Sequence, residues 1–151
     1  MAITLQVPID MVFSEVFGDD IESRYVATGV YYDPADYDGI ANVWFQATFN
    51  NAFDPVYPVS VKLVDEVGTE YATATITDPN GSLDYERARS IAFIPDVVPH
   101  YYMLKTLVSG GGFDEYTDVF DCKILIDQVD ATKTKIHIPL ITGDLSIGGS
   151  T

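Results

Sequence analysis

Few residues in this chain are of types and spacings that do chemistry. The densest group is Asp33, Asp36 and Asp38, set among Tyr31, Tyr32, Pro34, Tyr37 and Gly39. Three carboxylates in six residues suit a hard cation such as Ca²⁺, which takes several oxygen ligands. The Asp36-x-Asp38-Gly39 run is like a fragment of a calcium loop, without the distal Glu of an EF-hand. Its other reading is a solvated loop in which Asp, Pro and Gly make turns. Calcium is thus the one candidate cofactor, with Asp33, Asp36 and Asp38 as its ligands.

Other constellations lead nowhere. His100 and His137 fall on expected strands, and no G-x-S-x-G nucleophile elbow is present. Ser109 followed by Gly110, Gly111 and Gly112 reads as a loop. Cys122 stands alone, so it permits no internal disulfide and no cysteine zinc site. With no assembled nucleophile, base or metal motif, the expectation is a protein that is not an enzyme.

Charge narrows the partners. Eight basic and 23 acidic residues give a formal net charge of −15. Such a surface repels phosphates and anionic lipids, so nucleic acid and membranes are not expected partners. No run approaches the roughly 18 apolar residues of a membrane span. Residues 1–17 carry no early Lys or Arg and no small-residue cleavage site, so no signal peptide is expected.

Aromatic residues are the remaining resource. Ten Tyr, eight Phe and one Trp exceed what a core of this size requires. Trp44 lies opposite the inward face of its strand and is a candidate contact residue. Tyr31, Tyr32, Tyr37, Tyr57, Tyr101 and Tyr102 could join it in a sugar-stacking platform or an interface. Arg87 and Arg89, two of three arginines, share a strand face and are suited to pair with carboxylates across a subunit boundary.

The elements that must position these residues are strands. Apolar residues alternate over 23–32, 41–50, 57–64, 69–77, 84–94, 100–108, 116–128 and 133–140. About eight such strands, with no room for repeated crossover helices, predict an all-β, two-sheet antiparallel sandwich of jelly-roll type. The body spans 23–140, with an N-terminal arm over 1–22 and a flexible tail over 141–151. In the arm, Ile9, Val12, Phe13, Val16 and Phe17 recur with helical spacing, which suggests a short helix over 9–17 or else another strand. Val12, Phe13, Val16 and Phe17 are candidate docking residues. Leu145 and Ile147 of the tail are candidates for adding a strand to a neighbouring sheet.

Several stretches resemble a known group when taken together. They are Phe45 to Asn51, Val61 to Asp65 followed by Gly68-Thr69, Arg87 to Ser90, Tyr102 to Thr106, Lys123 to Gln128, and Lys133 to Leu140. This succession resembles small jelly-roll domains of tailed-phage (bacteriophage) structural proteins, including head decoration proteins and fibre modules. It is also similar to carbohydrate-binding sandwich modules. The phage resemblance implies a capsid decoration protein of the virion, made in the host cytoplasm. Its partners would be its own copies or a major capsid protein lattice. The alternatives are a glycan-binding module and a filament subunit assembled by strand donation.

Overall fold

The computed structural model describes residues 2–9, 15–18, 24–49, 58–76, 85–108 and 115–135. Nine strands occur among them: β1 (Ala2–Pro8), β2 (Glu15–Gly18), β3 (Arg24–Tyr32), β4 (Ile40–Phe49), β5 (Val59–Val64), β6 (Glu70–Ile76), β7 (Glu86–Arg89), β8 (His100–Val108) and β9 (Glu115–Val129). Alternation is the reason these segments are strands. Along β4, Val43, Phe45, Ala47 and Phe49 are buried, while Trp44 and Thr48 are half-buried on the other face. Along β6, Ala72, Ala74 and Ile76 point inward between exposed Thr73 and Thr75. Burying one phenyl such as Phe45 contributes roughly 1.5–3 kcal/mol over leaving it in water.

The strands form two antiparallel sheets. One runs β1-β9-β4-β7, with β2 also on β9, and the other runs β3-β8-β5-β6. The ladders nest: β5 pairs β6, β4 pairs β7, β3 pairs β8, and β1 and β2 pair β9. A single long hairpin rolled across two sheets gives that nesting, which is the jelly roll. The inner faces meet in one apolar core that includes Val7, Phe45, Leu63, Leu104 and Ile124.

Several expectations are corrected. The N-terminal stretch read as an arm supplies β1, whose Val7 is buried in the core. Its strand conformation follows from alternating Ile3, Leu5 and Val7. Glu15–Gly18 pairs with Glu115–Asp118 as β2 and is not helical. The 15-residue β9 extends beyond β1, and β2 covers the edge that would otherwise lie bare. Residues 10–14 of the expected helix lie outside the described residues. The strand expected over 84–94 stops at Arg89. The strand expected from 133 is absent at Lys133–Lys135, and 136–140 lie outside the described residues.

Two glycines are required by geometry. A Cβ on Gly29 would sit 2.1 Å from the Tyr102 carbonyl oxygen, where the β3–β8 register shifts. Gly39 has φ +59°, and a Cβ there would sit 2.3 Å from the Val129 carbonyl oxygen.

Candidate functional site

The nested topology brings three connections to one end of the sandwich: β3–β4 (33–39), β5–β6 (65–69) and β7–β8 (90–99). The segment after β9 joins them. The β7–β8 connection is fastened to β4 by its backbone. Ser90 N donates to Phe45 O (2.8 Å), Phe45 N donates to the Ser90 hydroxyl (3.0 Å), and Phe93 N donates to Val43 O (2.9 Å). Phe93 packs against the core. That geometry turns its neighbours outward, leaving Ile91 88%, Ile94 90% and Val97 86% exposed. Three aliphatic side chains are thus held almost wholly in water on an anchored loop, an arrangement suited to a contact.

Beside the loop lies a groove of about 300 Å³. Its walls include Tyr32, Pro34 and Ile40 on one side and Phe93, Ile94 and Val97 on the other. Tyr32 begins a run of rings. It stacks on Tyr37 with centroids 5.4 Å apart, tilts against Tyr102 at 5.7 Å, and Tyr102 meets Tyr71 edge-on at 5.1 Å. The Tyr32 hydroxyl is buried and has no hydrogen-bond partner among the described residues. Burial, reinforced by the neighbouring Asp33 charge, pushes the Tyr32 hydroxyl up to about 12, so it stays protonated.

A polar link closes the other side. His100 Nδ1 lies 3.2 Å from Glu66 Oε1, and His100 Nε2 lies 3.2 Å from Asp96 Oδ2. Burial disfavours the charged ring, yet the hydrogen bonds to Asp96 and Glu66 outweigh it and raise its pKa. Both ring nitrogens are engaged, so the imidazole is a bridge between two connections. Glu66 also accepts from Tyr101 N (3.1 Å), and Asp96 accepts from Val97 N (2.6 Å). The adjacent turn is built on buried Asp65. Its carboxylate accepts from Val67 N (3.0 Å), Thr69 N (2.8 Å) and the Tyr71 hydroxyl (3.2 Å). Burial opposes its charge, but the bonds from Thr69, Val67 and Tyr71 hold it below the usual carboxylate range.

The three loop aspartates each have separate work. Asp33 caps the single 3-10 turn (Pro34–Asp36) by accepting from Ala35 N (2.8 Å). Asp36 pairs with Lys135 (2.6 Å). Asp38 accepts from the Thr132 hydroxyl and from the amides of Thr132 (2.8 Å) and Lys133 (2.9 Å). Those bonds, led by the Thr132 hydroxyl, lower its pKa. Buried Gln128 completes the clamp. Its amide donates to Asp38 O (2.7 Å) and Lys133 O (2.9 Å), and its oxygen accepts from Thr134 (2.9 Å). The three carboxylates therefore point to different partners. No three His, Cys, Asp or Glu side chains gather as metal ligands among the described residues.

Of the expected contact residues, Val16 and Phe17 belong to β2, paired with Thr117 and Tyr116. Val12, Phe13, Leu145 and Ile147 lie outside the described residues. Trp44 is half-buried, and the Arg89 guanidinium carbon sits 5.3 Å from its ring centroid. Ile91, Ile94 and Val97 were not anticipated. The signal available was apolar residues flanking Pro95 and preceding Pro99, where a ladder cannot continue. Cys122 is buried, and burial pushes its thiol well up, so it is not a reactive group. No helix among the described residues is long and apolar enough to cross a membrane.

The fold and this end of it define a class: an antiparallel jelly-roll domain that presents a fastened apolar loop. No family model matches the chain, and no curated protein matches it. Among solved structures it is similar to the structure of infectious bursal disease virus Gx strain, with TM-score 0.43 and 13% identity. That alignment covers 84% of this chain and 32% of the other, so the chain spans about a third of that protein's length.

Proposed function

We propose that this chain is a non-enzymatic structural subunit of a virion, associating with its own copies or with a capsid protein lattice. The observation that carries the association is the exposed Ile91, Ile94 and Val97 on a loop bonded to β4. Burying such side chains between subunits is the ordinary driving force of assembly. The virion setting, and the narrower role of phage capsid decoration, rest on the strand succession's resemblance to phage jelly-roll domains. An acidic outer surface would keep finished particles apart.

The test is the molar mass of the full chain by light scattering across a concentration series, with negative-stain imaging of each fraction. Rings, closed oligomers or filaments are the expected result. A chain that stays monomeric at high concentration and also fails to bind purified virus-like shells would refute the reading.

A further inference from the structure

The outer face of the β1-β9-β4-β7 sheet carries three basic residues on an acidic protein, together with Asp121 and Asp127 of β9. Arg87 lies opposite Thr48 and Arg89 opposite Gln46 in the β4–β7 ladder. Lys123 lies opposite Gln46 on the other side, in the β4–β9 ladder. Three of the eight basic residues thus share this face. Lys123 pairs with Asp121 at 2.8 Å. Neither Arg87 nor Arg89 has a carboxylate partner among the described residues, and both are exposed. The Arg89 guanidinium carbon lies 5.3 Å from the centroid of the Trp44 ring, a cation–π contact on the outer face. The Thr48 hydroxyl beside Arg87 is shielded from water and has no hydrogen-bond partner among the described residues.

Charge then selects the occupant. Copies bearing −15 each repel one another unless acid meets base at the contact. A planar arginine held on an indole is suited to bidentate carboxylate pairing. We infer that this face, centred on Trp44, Arg87 and Arg89, receives a carboxylate-bearing surface of a second copy of this chain. This rests on the reading of the chain as a self-associating subunit. The basic face and the acidic surface are different parts of the molecule, so the contact can repeat head-to-tail. Such contacts make rings where the rotation closes and filaments where it does not.

The experiment compares wild type with Arg87→Glu/Arg89→Glu by light scattering, at about 0.05 and about 0.5 M NaCl. Both side chains are exposed, so the thermal melt is expected to stay unchanged and reports folding. Wild-type association should weaken with salt, and the double variant should associate roughly tenfold or more weakly with little salt dependence. Arg87→Lys/Arg89→Lys should be intermediate, retaining charge and losing the stacked fork. Wild-type assembly that the reversal leaves intact overturns this inference alone. A wild-type chain that stays monomeric overturns it together with self-association. Arginine-dependent binding of sialyllactose or polyglutamate by monomers that do not associate shows a different occupant and also overturns it.

Discussion

Replacing Ile91, Ile94 and Val97 together by serine is the sharpest perturbation of the apolar loop. In the free chain these side chains are 88%, 90% and 86% exposed, so their removal takes almost no packing from the fold. Each surface substitution should therefore change stability by no more than about 0.5 kcal/mol. For a chain of this size the Tm should hold within roughly 4 °C. Association is another matter. Complete burial of one such side chain is favourable by about 1.5–3 kcal/mol. With half of that realised at a contact, the three contribute about 2–4.5 kcal/mol, or roughly 30- to 2,000-fold in Kd. Light scattering over a dilution series measures that difference directly, and calorimetry of the same samples measures the fold. A triple variant that associates like wild type refutes the assignment of the loop as the contact. A Tm loss well beyond that range would instead mean that the loop is buried within its own chain.

Four further outcomes follow from the same end of the molecule. Asp65→Asn turns one of the two oxygens that accept from Val67, Thr69 and Tyr71 into an N–H₂ donor and removes the charge, and should cost about 1–3 kcal/mol in urea unfolding. The Asp65 pKa is lowered, so its contribution is present above the ordinary value of 3.8 and is lost as pH falls through the native value; acid melts of the variant should show a shallower decline. The His100 pKa is raised, so its contribution is complete below 6.5 and is lost as pH rises through the native value; the Tm difference between wild type and His100→Gln should shrink as pH rises from there. Gly39→Ala meets both a left-handed φ and the Val129 carbonyl, and should destabilise by at least about 1–2 kcal/mol in the same urea assay. Calcium or a chelator should leave the Tm unchanged, because Asp33, Asp36 and Asp38 hold separate partners; a clear rise with calcium would restore the metal site.

Much of the fold was legible because alternation has local causes. Val43, Phe45, Ala47 and Phe49 declare the inner face of β4 from sequence alone, and their burial follows. The strand expected over 84–94 failed for a non-local reason. The Ser90 hydroxyl accepts the Phe45 amide, so the regular ladder ends there and the chain stays on β4 only through the Ser90 and Phe93 amides. Of the stripe Ile9, Val12, Phe13, Val16 and Phe17, read as a helix or else a strand, Val16 and Phe17 lie in β2 on the edge of β9 that β1 leaves bare, a length mismatch visible only once β1 and β9 are paired. The polar bridge was equally hidden. Glu66 and His100 are 34 residues apart and meet because β5 pairs β8, with Val64 opposite Met103. Trp44 was singled out by its outward position, but its stacking with Arg89 depends on the β4–β7 register.

Exposure of Ile91, Ile94 and Val97 admits two physical explanations, and the surroundings decide between them. A slack loop would expose apolar side chains because few bonds hold its backbone. This loop is held at both ends. Ser90 and Phe93 bond to β4, and Asp96 bonds to His100, which bonds in turn to Glu66 on the β5–β6 turn. Phe93 is packed inward between the exposed residues, so the loop has already satisfied its own share of the core. The ordering entropy that a partner would otherwise have to offset is therefore spent in folding. A loop both fastened and apolar is what the proposed contact requires, and the bonds that hold its backbone, more than its hydrophobicity, set it apart from a loose end.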